Sequence, residues 1–94
     1  MNIGQSIREI RKEKGVQQRE LADKVGISYN ALSQIETGRT YPQQATLTKI
    51  SVVLEVPISY ILFNSVEVSE VEESKRPVLT ALKDAIYKLL FNKQ

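Results

Sequence analysis

The sequence predicts an all-α chain: five short helices closing one small domain, then an additional C-terminal helix. Three observations carry that reading. Apolar residues recur at spacings of three and four along most of the chain, the period of a helix face. Glycines at 15, 26 and 38 fall between those runs, where helices stop. The one stretch with strand-like alternation, Val66 and Val68 among acids, is too short to be convincing as a strand.

The first helix is expected from about Asn2 to Lys14. Ile3, Ile7 and Ile10 form its apolar face, and Gly15 stops it. The second covers Gln18 to Val25, with Leu21, Ala22 and Val25 on one side. Ala22 is small where a following helix would cross closely, and Gly26 allows the chain to turn with positive φ. Ile27 plugs that turn, and Ser28 is a good N-cap for a third helix from about Tyr29 to Thr37. Ala31, Leu32 and Ile35 face inward from this helix, while Ser28, Tyr29, Asn30, Ser33 and Gln34 point outward. Gly38 ends it, and residues 38–42 form a loop. The fourth helix runs from about Gln44 to Leu54 through Leu47, Ile50 and Leu54. Pro57 suits the first turn of a short fifth helix ending near Phe63.

The domain is therefore bounded at residues 1–63. Residues 64–76 read as an acidic linker, and residues 77–94 as an amphipathic helix opening at Pro77. In that helix Leu79, Leu82, Ile86 and Leu89 follow the 3-4-3 spacing of a heptad seam. Two heptads do not hold a coiled coil alone, so these side chains must be buried against something. Docking on the chain's own domain and pairing with a second copy are both open; pairing is favoured, because five helices already close a core and the linker gives this helix independence.

Residues 18–38, QRELADKVGISYNALSQIETG, resemble the helix-turn-helix of the Xre family, the lambdoid phage repressor-like DNA-binding domains. The match rests on Gln18, Leu21, Ala22, Val25, Gly26, Ile27, Ser28, Leu32, Ser33, Ile35, Glu36 and Gly38. The flanking segments match too, so the resemblance spans roughly residues 2–63. It implies the five-helix lambda-repressor-like fold. It further implies a sequence-specific regulator, a repressor in the first instance, holding double-stranded DNA as a homodimer. The third helix would lie in the major groove, and two copies about 34 Å apart would read a palindromic operator.

On that resemblance the base-edge residues are Ser28, Tyr29, Asn30, Ser33 and Gln34. Asn30 and Gln34 have amide geometry suited to adenine N6 and N7. Relatives often carry at the position of Tyr29 a Gln that pairs with the residue matching Gln18, so this chain departs there. The third helix has no Arg or Lys for a bidentate guanine contact, which points to recognition leaning on A·T pairs and on DNA shape. Gln18 matches the family's phosphate-contacting Gln, and its backbone N–H suits an anion. Arg19, Arg39, Thr40 and Gln43 are the other expected phosphate contacts; Gln43 stands where many relatives place a better helix cap. Arg11 and Glu36 match a family pair that bridges the first and third helices, a structural role.

Composition sets limits. The chain has no Cys and no His, which removes disulfides, thiolate zinc sites and the commonest general base. With no Gly-rich phosphate loop and no paired carboxylates in a pocket, an enzyme is not expected, nor a cofactor or metal. No apolar run approaches the roughly 20 residues that span a bilayer, and the N-terminus lacks a signal pattern; a cytoplasmic protein is expected. Residues 1–63 carry eight Lys/Arg against six Asp/Glu, and residues 64–94 five against five. The four acids from Glu67 to Glu73 would be repelled by phosphates and are expected away from DNA. The alternative to a DNA regulator is an antitoxin or co-regulator of the same fold, acting through a protein partner held by the terminal helix.

Overall fold

The computed structural model describes residues 1–91. Residues 92–94, the end of the expected terminal helix, lie outside the described residues. Six α-helices follow one another: α1 (Ile3–Glu13), α2 (Gln18–Val25), α3 (Tyr29–Glu36), α4 (Gln44–Leu54), α5 (Ile58–Asn64) and α6 (Arg76–Phe91). Two single 3-10 turns, Val68–Glu70 and Glu73–Lys75, lie between α5 and α6.

Boundaries differ from the sequence reading by a residue where a cap decides them. Asn2 is the cap of α1 and not its first residue, its side chain accepting the Gln5 N–H at 3.0 Å. Pro57 likewise precedes α5, with extended backbone, so its fixed φ serves the entry and not the first turn. Gly26 takes φ +85° after α2, and both Gly26 and Ile27 N–H groups return to the Ala22 carbonyl. This closes the α2–α3 turn, and Ile27 packs half-buried against the core.

The core is built from the predicted faces. Ile7, Ile10, Leu21, Leu32, Ile50, Leu54 and Ile61 are fully buried, with Ala22 at the α2 crossing. α1 packs on α3, α4 and α5, and α2 on α3 and α4. Gly4 permits the α1–α3 approach: a Cβ there would stand 2.0 Å from the Ile35 carbonyl oxygen. Ser6, also buried, donates its hydroxyl to the Ile61 carbonyl at 2.7 Å and accepts from Asn64 Nδ2 at 3.0 Å, tying α5 to α1.

The segment expected as a linker is folded onto the domain. Residues 68–70 form a 3-10 turn and not a strand, because Glu67 and Glu70 cap one another's backbone N–H groups across it. The N-terminal ammonium pairs with Glu70, Arg76 Nε donates to the Val71 carbonyl at 3.0 Å, and the Lys83 ammonium donates to the Asn64 and Val66 carbonyls. The cation thus meets carbonyls left open at the end of α5.

α6 starts at Arg76, one residue before Pro77, packs on the two 3-10 turns and reaches α1 and α5 through side chains of its C-terminal half. Leu79 is buried, and Ile86, Leu90 and Phe91 pack on the core. The Phe91 ring lies 5.8 Å from that of Tyr60, and the Tyr87 hydroxyl donates to Glu13. The expected seam is therefore divided: Leu79 is buried and Ile86 packs on the core, while Leu82 (49% exposed) and Leu89 (78%) turn to solvent. The apolar arc of α6 is wider than a single seam, and docking takes one side of it. Among the described residues no single helix is long and apolar enough to cross a membrane.

Candidate nucleic-acid interface

α3 is held from behind and exposed in front. Its buried residues are Leu32, Ile35 and Glu36. Glu36 receives Arg11 of α1 side-on, Nε to Oε2 at 2.8 Å and Nη2 to Oε1 at 3.1 Å, while Arg11 Nη1 donates to the Val16 carbonyl at 2.9 Å. The two side chains are 10% and 2% exposed. All the strong donors facing Glu36 are satisfied, so the pair fixes the roll of α3 relative to α1 without leaving a buried charge alone.

Gln18 joins this pair. Its Nε2 donates to Glu36 Oε1 at 3.2 Å, so the side chain expected on a phosphate is turned inward. The Gln18 backbone N–H lies in the open first turn of α2, without a helix carbonyl to receive it. The sequence could not report this, because the bond depends on where Arg11 brings Glu36.

The outward face carries the predicted residues. The Ser28 hydroxyl accepts the Ala31 N–H at 3.0 Å, so as N-cap its oxygen is already engaged and its proton remains to donate. Tyr29 is half exposed, and the Arg19 guanidinium sits 5.1 Å from its ring centroid. Arg19 is thus steered along the edge of α3 by a cation–π contact. Asn30 and Gln34 are exposed, and Ser33 is half-buried. The loop after α3 folds back on it: the N–H groups of Arg39 and Thr40 both donate to the Gln34 carbonyl, at 2.9 and 3.2 Å. The Thr40 hydroxyl donates to Gln34 Oε1 at 3.2 Å. Arg39 is exposed on that loop. Gln43 precedes α4 without a side-chain capping bond and is exposed, as its poor capping chemistry implies.

One residue on this side went unnoticed in the sequence. Arg8, exposed on α1, borders a shallow hollow with Arg11, Gln18, Ser33, Glu36 and Thr37. Its signal was available, three residues before Arg11 on the same helix side. The acidic stretch is not uniformly remote either: Glu67 borders a hollow shared with Thr37, Gly38, Arg39, Thr40 and Tyr41. The cause is the Asn2 N–H bond to the Ser65 carbonyl, 2.9 Å, which brings the chain after α5 beside the N-terminus and the end of α3.

Two tyrosines, on α5 and α6, have raised hydroxyl pKa values. Burial pushes the Tyr60 hydroxyl up, with Glu9 and Glu13 adding to it, and the hydrogen bond to Glu13 raises Tyr87. Among the described residues no group of three His, Cys, Asp or Glu is placed to hold a metal.

A helix-turn-helix family profile matches residues 7–61. The chain is 31% identical over 84 residues to the ImmF control region 10 kDa protein of Bacillus phage phi105, covering 89% of this chain and 93% of that one. It is 44% identical over 61 residues to the transcriptional regulator SinR of Bacillus subtilis, covering 64% of this chain, and 30% identical over 83 residues to the transcriptional repressor RghR of the same organism, covering 87%. It spans 55% and 62% of those two regulators. The crystal structure of the clp gene regulator ClgR from Corynebacterium glutamicum superimposes with a TM-score of 0.67, over 94% of this chain and 88% of that one, at 23% identity. That last likeness speaks for the fold.

Proposed function

Since the chain belongs to the helix-turn-helix family, whose members regulate transcription by binding DNA and are not enzymes, we propose that it is a repressor that binds a palindromic operator as a homodimer, with α3 in the major groove. The observation that carries this is the outward polar face of α3, with Tyr29, Asn30 and Gln34 exposed and Ser33 half-buried beside them, on a helix whose roll is locked by Arg11 and Glu36. A recognition helix is useful only if its side chains arrive at base edges in one register, and a buried bidentate pair supplies that rigidity. Arg8, Arg19, Arg39 and the Gln18 N–H flank the face and take phosphates; Thr40 and Gln43 stand beside them.

The dimer is assigned to the outward side of α6. Val78, Leu82, Ala85 and Leu89 follow a 4-3-4 spacing on exposed helix, so the seam expected at Leu79, Leu82, Ile86 and Leu89 is rotated: Leu82 and Leu89 stay in it, and Val78 and Ala85 replace the two docked residues.

Selection from random duplex pools over a salt series tests this reading. Enrichment of a two-fold symmetric site, with affinity falling steeply as salt rises, supports a dimeric reader with phosphate-dominated affinity. Uniform weak binding with nothing enriched overturns it and turns attention to a protein partner on α6.

A further inference from the structure

We infer that Thr40 is a positioning residue that sets the base preference of Gln34, turning it from an adenine reader into a donor for guanine. The inference rests on α3 lying in the major groove. A free Gln amide offers both an acceptor, Oε1, and two donors on Nε2, and pairs with adenine by using one of each. Gln34 is not free. The Thr40 hydroxyl donates to its Oε1 at 3.2 Å. Thr40 cannot drift with it, because its own N–H is bonded to the Gln34 main-chain carbonyl at 3.2 Å, beside the Arg39 N–H at 2.9 Å. The loop therefore grips Gln34 at both ends of the residue, main chain and side chain.

With Oε1 held back toward the loop, the group presented outward is the Nε2 amide, which has only protons to give. Guanine offers O6 and N7, two acceptors adjacent on the major-groove edge, whereas adenine offers one acceptor beside a donor. Two N–H donors meet the first pattern without conflict and face the N6 protons in the second. α3 carries no Arg or Lys that would read guanine in the common way, so Gln34 fills that role, and the A·T lean expected from its side-chain type is reversed at its one base pair.

The test is selection and sequencing with the full chain and three variants, Gln34→Ala, Thr40→Val and Thr40→Ser, each first checked for an unchanged melting transition. Gln34→Ala identifies the pair Gln34 reads, as the position whose preference disappears. At that pair the wild-type protein is expected to favour G·C over A·T by about tenfold or more, the discrimination typical of one good base contact. Thr40→Val, which keeps the shape and removes the donated proton, should reduce that preference to under about threefold or shift it to A·T, and Thr40→Ser should keep it. A merely structural Thr40 would change affinity for all sites together and leave the preference alone. The inference is overturned if the pair is A·T in the wild type, if Thr40→Val leaves a G·C preference intact, or if Gln34→Ala changes no position in an otherwise enriched site. Failure of the wild type to enrich any site would instead overturn the operator reading on which it stands.

Discussion

Residues 3–64 and the segment after them solve the same problem, burying apolar surface, in two different ways. The first region closes a core in which seven large aliphatic side chains are fully buried, and it satisfies its buried charges in one bidentate pair. The second contributes one buried apolar residue, Leu79, and otherwise attaches through half-buried contacts at Ile86, Leu90 and Phe91 and through polar ties at Lys83 and Tyr87. It leaves Val78, Leu82 and Leu89 in water. The lesson is that α6 is docked without being used up. The proposed function requires a rigid domain, because α3 would present a face to be matched; α6 retains an apolar side that the fold does not consume.

On that contrast, the largest losses belong to the first region. Glu36→Ala strands Arg11 among buried neighbours and should cost about 3–5 kcal/mol, the range for breaking a buried pair by removing one partner. In a domain of this size each kcal/mol moves Tm by roughly 4–8 °C, so thermal denaturation should show a fall well beyond 10 °C. A shift of a degree or two would mean that the pair is solvated, whatever its 2% and 10% exposures.

Gly4→Ala should follow. Its new Cβ would overlap the backbone oxygen of Ile35, and a main-chain atom cannot swing aside as a side chain does. Overpacking of this sort costs about 1–3 kcal/mol, occasionally more. Because relief requires α1 and α3 to separate, DNA affinity should drop along with Tm. Stability lost with binding retained would show that the register of α3 does not depend on this contact.

The second region should give the opposite pattern. Leu82→Lys combined with Leu89→Lys changes two exposed side chains, and at concentrations where the protein is monomeric the melting free energy should move by less than about 0.5 kcal/mol. Sedimentation should nevertheless show the proposed dimer lost, since two charges would face their copies across the seam. A double variant that remains dimeric moves the interface off α6; one that unfolds shows that α6 is more deeply integrated than its exposures suggest.

The same contrast explains what was legible in the sequence. The helices of the first region could be read because each carries its own period and its own punctuation: Ile3, Ile7 and Ile10 before Gly15, Leu21 and Val25 before Gly26. The Arg11–Glu36 pair was reached through resemblance alone, since nothing in the spacing of two residues 25 apart announces a bond. Interactions hidden from the sequence are those in which a third group chooses between partners. Gln18 is taken by Glu36 and Gln34 by Thr40, and neither is decided by residue type. For α6 the apolar residues were identified, but an arc too wide for one partner does not say which side docks. The terms that decide it lie elsewhere in the chain, in the carbonyls of Asn64 and Val66 that receive Lys83 and in Tyr60 beneath Phe91.

The last effect expected is a gain, and it tests whether the rigid region is uniformly optimised. Glu55 ends α4 at φ 57°, ψ 43°, the left-handed conformation, and is the one non-glycine residue with positive φ among those described. Its N–H and that of Val56 return to the Val52 and Ser51 carbonyls, at 3.2 and 3.1 Å, so the conformation is needed to close the helix. A side chain pays a steric penalty there of about 1–2 kcal/mol that glycine avoids, while glycine adds about 0.5–1 kcal/mol of freedom to the unfolded chain. The difference leaves Glu55→Gly stabilising by about 0.5–1 kcal/mol, readable as a rise of a few degrees in Tm. Since Glu55 is exposed and distant in sequence from α3, DNA affinity should not change with it. A fall in Tm would mean that the carboxylate does something for the α4–α5 turn beyond filling a strained position, and the first region would then be more finely fitted than its contacts indicate.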